Sequence, residues 1–215
     1  MAAPREAGRN PLSDPAVGPR CYLPAMTTNH TGAAPDATEH LRRITADPAL
    51  TRFLDWPCDF DLGRRDPVER LALPSGLPLH PIAGCGAGGT YFLCGATETT
   101  ADRPVLYADS EGGATLLGEN LAEALTLLIS FPYWRDLDAG HPAAELESAL
   151  REDHPTLDTA RTTALTALSL TPLPLPEALT HLRTMATRTT PDFLPTSEEH
   201  GERYDPLLTP PDSRP

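Results

Sequence analysis

The first regular hydrophobic pattern in the chain has the spacing of two short helices. Asp36 and Glu39 stand three residues apart, as in a capping box. Leu41 and Ile44 then lie on one helical face. Asp47 can cap a second helix, because the proline that follows it suits the first helical position. This second helix is predicted to end before the next proline, with an apolar stripe formed by Leu50, Phe53, Leu54 and Trp56.

Between residues 71 and 117 the hydrophobic runs become short and are separated by glycines or turn residues. No gap between them is long enough to hold a crossover helix. The pattern therefore predicts antiparallel strands of a small sheet rather than β-α-β units. The four predicted strands are residues 77–82, 90–94, 104–107 and 114–117.

Helical spacing returns after the last predicted strand. Asn120 and Glu123 have the spacing of a second capping box, which predicts a helix that ends at Pro132. Beyond residue 140, three more stripes are joined by short proline-rich segments, as in a small helical bundle. Their members are Leu146, Ala149 and Leu150, then Leu157, Ala160, Ala164, Leu165 and Leu168, and finally Leu175, Ala178, Leu179, Leu182 and Met185.

These elements predict an α+β fold with a small antiparallel sheet flanked by helices, a C-terminal helical extension and disordered ends. Residues 36–140 form the α+β domain and residues 141–195 the helical extension. Residues 1–35 are expected to be disordered, because they are rich in proline and lack a periodic apolar pattern. The acidic, proline-rich residues 196–215 are expected to be a disordered tail for the same reason. Met26 is an alternative start of the chain.

The charge composition bears on the kind of partner. The 215 residues include 30 acidic and 17 basic side chains, for a formal net charge of −13. Every basic residue is Arg, a bias typical of GC-rich genomes such as those of actinobacteria. Nucleic-acid binding depends on clustered cations, so an acidic balance of this size disfavours it. A basic protein partner is compatible with the charge, although solubility alone also explains it.

The distribution of apolar residues argues against a membrane protein. No uninterrupted apolar run reaches the length of about 18 residues that a membrane span needs. The first twenty residues place charges and prolines where a signal peptide has its apolar stretch. We therefore expect a cytoplasmic protein without a membrane partner.

The glycine-rich segment 84–89 contains the formal pattern of a dinucleotide-binding loop. That chemistry needs a helix after the loop, whereas an aromatic strand follows here. We interpret Gly84, Gly86, Gly88 and Gly89 as a structural loop between two strands and expect no cofactor. The four cysteines, at positions 21, 58, 85 and 94, do not form a C-x-x-C pair. No metal site is predicted, and the thiols are expected to be small buried side chains.

Catalysis has one candidate in the sequence. Cys85 follows His80 by five residues, and a Cys–His pair can produce an activated thiolate. A small enzyme or ligand-binding domain that uses the Cys85 loop is therefore one alternative. No third orienting group can be identified, so we assign no catalytic residue and expect a protein that is not an enzyme. His141 and His154 are expected at solvated helix ends.

Recognition of a protein partner is expected to use arginine and aromatic side chains, the usual anchors of interfaces. An alternative for the two aromatic candidates is a place in the core, and for the two acidic candidates a solvated turn. The candidate binding residues are Arg103, Tyr107, Asp109, Glu111, Trp134 and Arg135.

Residues 77–134 resemble the SMI1/KNR4 (SUKH) superfamily. The resemblance lies in a glycine loop before an aromatic strand, then a Pro-Val-x-Tyr strand, and then a capped helix. The matching segments are PIAGCGAGGTYFL at 81–93, PVLY at 104–107, and Leu116-Leu117 leading into NLAEAL at 120–125. Cys85 stands where the family often carries Asp, and residues 141–195 have no counterpart in the common domain.

The resemblance implies an α+β domain and, in bacteria, often an immunity protein that neutralises a toxin of a polymorphic toxin system. The leading hypothesis is accordingly a non-enzymatic protein-binding module with a basic toxin domain as partner. One alternative is a regulatory or scaffold adaptor that binds through its helical extension. The sequence leaves the oligomeric state open.

Overall fold

A computed structural model describes residues 35–96 and 103–208. The expected disorder of residues 1–35 concerns, apart from Pro35, residues outside this range. The elements in chain order are α1 (Ala37–Ala46), α2 (Pro48–Asp55), β1 (Leu71–Ala72), β2 (Leu79–Gly84), β3 (Thr90–Cys94), β4 (Val105–Ala108), β5 (Gly113–Gly118), α3 (Leu121–Ser130), α4 (Trp134–Asp138), α5 (Ala143–Asp153), α6 (Leu157–Leu168), α7 (Leu175–Thr189), β6 (Thr196–Ser197) and β7 (Asp205–Pro206).

Side-chain caps start three of the helices where the sequence predicts them. The Asp36 carboxylate accepts a hydrogen bond of 2.9 Å from the backbone N–H of Glu39 at the start of α1. The Asp47 carboxylate accepts from two backbone N–H groups in the first turn of α2. The Asn120 side chain accepts from the Glu123 N–H at 2.9 Å and starts α3. Each cap satisfies a backbone donor that the helix itself leaves unpaired.

The main sheet has five strands in the order β2-β3-β4-β5-β7. The four predicted strands pair antiparallel in sequence order, and the two-residue β7 adds in parallel to β5. A second sheet pairs β1 with β6. The predicted α+β class is confirmed.

Both faces of the sheet are covered, so every residue of β3 is buried. Tyr91 and Leu93 face a large core that includes residues of α1, α2, α3, α4, α6 and α7. Phe92 and Cys94 face a smaller core, to which Met185 of α7 also belongs. The alternation of side chains along β3 thus divides the interior into two clusters.

The boundary predicted at residue 140 does not divide the core. Ala164, Leu165 and Leu168 of α6 belong to the same cluster as Ile44 of α1 and Leu125 of α3. The helices of segment 141–195 therefore complete the core around the sheet rather than forming a separate bundle.

The expectation of a disordered tail at 196–215 is wrong for residues 196–208. This segment contributes β6 and β7 to the two sheets. Tyr204 and Leu208 are buried, with 7% and 2% of their surface exposed. The tail is ordered because Leu208 packs into the large core and Tyr204 into the smaller one. Residues 209–215 lie outside the described range.

The apolar stripe predicted for α2 is wrong at its last member. Leu50 and Leu54 are buried, but the Trp56 side chain is 62% exposed. Its indole contacts the His154 ring at the end of α5, with centroids 5.6 Å apart. Trp56 follows the last helical residue, and its extended backbone turns the side chain away from the buried face of α2.

Candidate functional site

Two of the predicted recognition residues are part of a buried aromatic row. The ring centroids of Phe60 and Tyr91, and those of Tyr91 and Tyr107, are 4.9 Å apart. Trp134 continues the row in an edge-on contact with Tyr107 at 5.8 Å. Tyr107 and Trp134 are 1% and 2% exposed, so neither presents a surface to a partner. Their assignment to a binding surface is wrong, and their role is packing.

Arg135 covers the end of this aromatic row. Its guanidinium carbon lies 4.5 Å from the Tyr107 ring centroid and 4.9 Å from that of Trp134. One guanidinium nitrogen is 3.8 Å from the Asp59 carboxylate. Asp59 in turn accepts a 2.7 Å hydrogen bond from the Gly86 N–H. Arg135 therefore links the helical side of the fold to the glycine turn, with 38% of its side chain exposed.

The glycine segment is a tight turn between β2 and β3. The N–H of Cys85 donates to the Gly89 carbonyl at 2.9 Å, and the N–H of Gly88 donates back to the Cys85 carbonyl. Gly88 has a φ of +89°, which L side chains rarely adopt. A side chain at Gly89 would overlap the Tyr107 hydroxyl. The glycines at 88 and 89 therefore serve backbone geometry.

The geometry does not bring Cys85 and His80 together. His80 is the second residue of β2 and Cys85 follows the last, so roughly 16 Å of extended strand separates them. The Cys85 sulfur instead lies 3.3 Å from the Tyr107 hydroxyl and accepts from the Gly89 N–H at 3.1 Å. A Cys–His dyad is absent from this turn.

The cysteines of the described range are free and buried, as expected for small hydrophobic side chains. Burial raises the pKa of Cys94 to about 12 and raises that of Cys58 as well. These two thiols are protonated at neutral pH and are poor nucleophiles. Cys21 lies outside the described residues.

Arg103 fastens the end of β3 rather than facing solvent. Its guanidinium donates hydrogen bonds to the carbonyls of Leu93, Cys94 and Gly95, at 3.1, 3.2 and 2.6 Å. Arg103 is predicted to anchor an interface. In the structure its guanidinium donors instead bind the backbone at the end of β3.

The β4–β5 turn carries the predicted acidic candidates. Asp109 accepts hydrogen bonds from the N–H groups of Glu111 and Gly113, at 2.9 and 2.7 Å, and so shapes the turn. Glu111 itself is exposed. Asp109 is thus partly structural, whereas Glu111 remains open to solvent.

The C-terminal tail adds a third carboxylate to this turn. Asp205 pairs with Gly113 in the β5–β7 ladder, and its N–H donates to the Gly112 carbonyl at 2.8 Å. The Asp109 carboxylate also lies beside Gly113, where an added Cβ would meet it at 2.8 Å. We name Asp109, Glu111 and Asp205 the acidic edge. Within the described part of the chain, no arginine forms an ion pair with any of the three.

Asp205 is not among the predicted site residues, because the composition of the tail predicts disorder there. The signal that could have found it is local. Tyr204, Leu207 and Leu208 are concentrated in five residues of an otherwise polar segment, which indicates a short packed element.

The fold and the site together define a mixed α+β protein with an exposed acidic edge. No family model, no curated protein and no solved structure matches the chain. Over residues 35–96 and 103–208 there is no group of three or more side chains that could hold a metal ion. The helices of the same residues include none with the length and apolarity to cross a membrane.

Proposed function

We propose that this chain is a non-enzymatic protein-binding module that neutralises a basic toxin domain in the cytoplasm, as immunity proteins of polymorphic toxin systems do. The observation that carries the proposal is the acidic edge, where three acidic residues share one end of the sheet and form no ion pair with an arginine of residues 35–96 and 103–208. The net charge of −13 and the resemblance of residues 77–134 to the SMI1/KNR4 superfamily support the same function.

Electrostatics gives such an edge a physical role in binding. Complementary charge raises the rate at which two proteins meet in a productive orientation. Both Glu111, in the β4–β5 turn, and Asp205, on β7 beside the start of β5, are exposed, so both can face one cationic patch. Salt screens this attraction within about 10 Å at 0.1 M, so the association rate should depend on ionic strength.

The test takes the protein encoded by a neighbouring gene as the candidate partner and measures its association with this chain. Stopped-flow association should slow by about tenfold between low salt and about 0.5 M, with little change in dissociation. The double variant Glu111→Arg/Asp205→Arg should slow association to a similar extent at physiological salt. Asp109 is kept because its carboxylate shapes the turn.

A variant with the same change in net charge elsewhere gives the matched control. Glu177 is an exposed acid in the first turn of α7. Glu145 has the same place in α5, so Glu145→Arg/Glu177→Arg equals the edge variant in total charge. Association that slows equally in both variants contradicts a role of the edge. A neighbouring protein that does not bind the wild-type chain contradicts the proposal itself.

A second candidate function is an adaptor that binds through its helical extension. The observation that favours it is the surface near the C-terminal end of α5, a helix without a fully buried residue. There the exposed Trp56 indole packs against the partly buried His154 ring. Deleting residues 141–215 would remove part of the core, so Trp56→Ala is the better test. Loss of binding in Trp56→Ala, with the edge variant unaffected, would favour the adaptor.

A further inference from the structure

A cavity of about 280 Å³ lies between α7 and the turn that joins α4 to α5. It is far from the acidic edge in sequence and has no part in the function proposed above. Its apolar lining comes from α7 on one side and α4 on the other. Leu182 of α7 is 1% exposed and Leu137 of α4 is 6% exposed. The leucines that line it are Leu137, Leu175, Leu179 and Leu182, and the polar lining residues are Asp138, His141 and Arg183.

The two basic side chains that line the cavity, Arg183 and His141, have hydrogen-bond donors that are not paired with the described residues. Arg103, Arg151 and Arg161 bind carbonyls or carboxylates through their guanidinium groups. The Arg183 guanidinium, by contrast, makes no hydrogen bond or ion pair with the described residues. The His141 imidazole is likewise unbonded within this range. An anion that enters the cavity can therefore meet two donor groups that are not already paired.

The turn that carries His141 is held by the backbone. The His141 N–H donates to the Asp136 carbonyl at 3.0 Å, and the Gly140 N–H donates to the Leu137 carbonyl at 3.1 Å. Gly140 has a φ of +89°, which allows the chain to leave α4 and return towards α7. The cavity is therefore formed before any ligand arrives, and binding need not order this turn.

The combination of lining groups defines a class of ligand. Leucine side chains receive hydrocarbon, and the few convergent polar groups at a site fix orientation. We propose that this cavity binds a small amphipathic carboxylate, with its hydrocarbon chain against the leucines and its carboxylate on Arg183 and His141. The volume of about 280 Å³ is at the lower end of the range for small-molecule sites and so suits a small ligand, such as a carboxylate with about six carbons. Asp138 also lines the cavity, but it has an interaction of its own and does not contribute to binding of the carboxylate.

The experiment titrates the full chain with sodium hexanoate and follows backbone amides by NMR. Hexanoate should shift amides of residues 137–141 and 179–183 saturably, with a dissociation constant in the millimolar range expected for so small a ligand. Acetate lacks the hydrocarbon chain, and hexylammonium carries the opposite charge. Each should bind at least tenfold more weakly than hexanoate.

A variant separates the charge from the apolar cavity. Arg183→Gln should weaken hexanoate binding about tenfold, since it removes a charge-assisted hydrogen bond. Arg52→Gln is the matched control, because Arg52 is also exposed and its guanidinium has no described partner. Arg52→Gln should bind hexanoate like the wild-type chain.

Three results would overturn the proposal. They are the absence of saturable shifts at these amides, equal affinity for hexylammonium and hexanoate, and an unchanged affinity in Arg183→Gln. None of these outcomes bears on the acidic edge, whose test uses a protein partner and different residues.

Discussion

The hydroxyl of Tyr204 donates a hydrogen bond of 2.7 Å to the carboxylate of Glu69, which lies 135 residues earlier in the chain. The Ser197 hydroxyl donates to the other oxygen of the same carboxylate. Both donors belong to the tail that forms β6 and β7. Glu69 therefore holds the tail beside β1, which pairs with β6, and through β7 it keeps Asp205 at the acidic edge.

Tyr204→Phe should loosen the tail without unfolding the core. The variant removes a hydrogen bond to a charged group, a bond of about 1.5–3 kcal/mol, and retains the buried ring. Trypsin cleavage after Arg203 depends on local opening of this segment and should accelerate by about tenfold. Mass spectrometry of the released C-terminal peptide measures the rate.

Glu199→Gln is the control for this measurement, because Glu199 is exposed in the turn after β6 and its side chain makes no hydrogen bond with the residues that the structure describes. It should leave the cleavage rate unchanged. Equal rates in wild-type and Tyr204→Phe would show that the ring alone holds the tail.

The same contact predicts an acid-sensitive tail. Hydrogen bonds from Ser197 and Tyr204 lower the pKa of Glu69. Because the pKa of Glu69 is lower in the folded than in the unfolded state, its carboxylate stabilises the tail fully above the unfolded pKa of about 4.3. It is lost as the pH falls through the lowered pKa. Hydrogen exchange of the Tyr204 amide should therefore lose protection below about pH 4, earlier than that of α3 amides.

Glu69→Gln identifies the group that titrates. The neutral amide cannot gain a proton in this range, so the tail of the variant should lose its separate acid transition. A transition that persists in Glu69→Gln, at the same pH as in the wild-type chain, would assign it to another carboxyl group.

Gly89→Ala should destabilise the protein far more than Gly86→Ala. A Cβ atom at Gly89 would overlap the hydroxyl of Tyr107, which is buried and fixed by the aromatic row. A Cβ at Gly86 has its nearest neighbour, an Asp59 oxygen, at 3.5 Å. Urea unfolding should show a loss of about 3 kcal/mol for Gly89→Ala and less than about 0.5 kcal/mol for Gly86→Ala.

Gly88→Val tests the positive φ of the same turn. We expect a loss of about 1–3 kcal/mol, the usual strain of an L residue at such a position. A free energy of unfolding equal to that of the wild type would mean that the turn can adopt another conformation.

The ion pair between Glu147 of α5 and Arg161 of α6 should hold α5 against the rest of the fold. Arg161 donates two hydrogen bonds to the Glu147 carboxylate, at 2.9 and 3.1 Å, and a third to the Ile129 carbonyl. Both side chains are 16% exposed. Burial alone would raise the pKa of Glu147, but hydrogen bonds from Arg161 and Tyr133 outweigh it and lower the pKa.

Glu147→Gln should therefore destabilise the protein by about 2–3 kcal/mol in urea unfolding, since it leaves the Arg161 charge poorly compensated. Glu145→Gln, two residues earlier on the exposed side of α5, should change the free energy of unfolding by less than about 0.5 kcal/mol. If the two variants are equally stable, apolar contacts such as that of Leu146 must hold the helix instead.

Most helices and strands can be located from the order of residues, because their signals are local. The caps at Asp36, Asp47 and Asn120 act on backbone groups two or three residues away. The turn at 84–89 joins neighbouring strands and depends on its own glycines. Interactions of such short range are visible in the order of residues.

The tertiary structure alone decided which side chains remain exposed. Tyr107 and Trp134 are of the residue types that often anchor interfaces. In the structure they pack against each other, although 27 positions separate them in the chain. The place of Arg135 depends on Asp59, and that of the tail depends on Glu69. The acidic edge exists because β7 pairs with β5. Each of these outcomes is set by contacts between distant segments, which compete for the same space and donors and leave no periodic signal in the sequence.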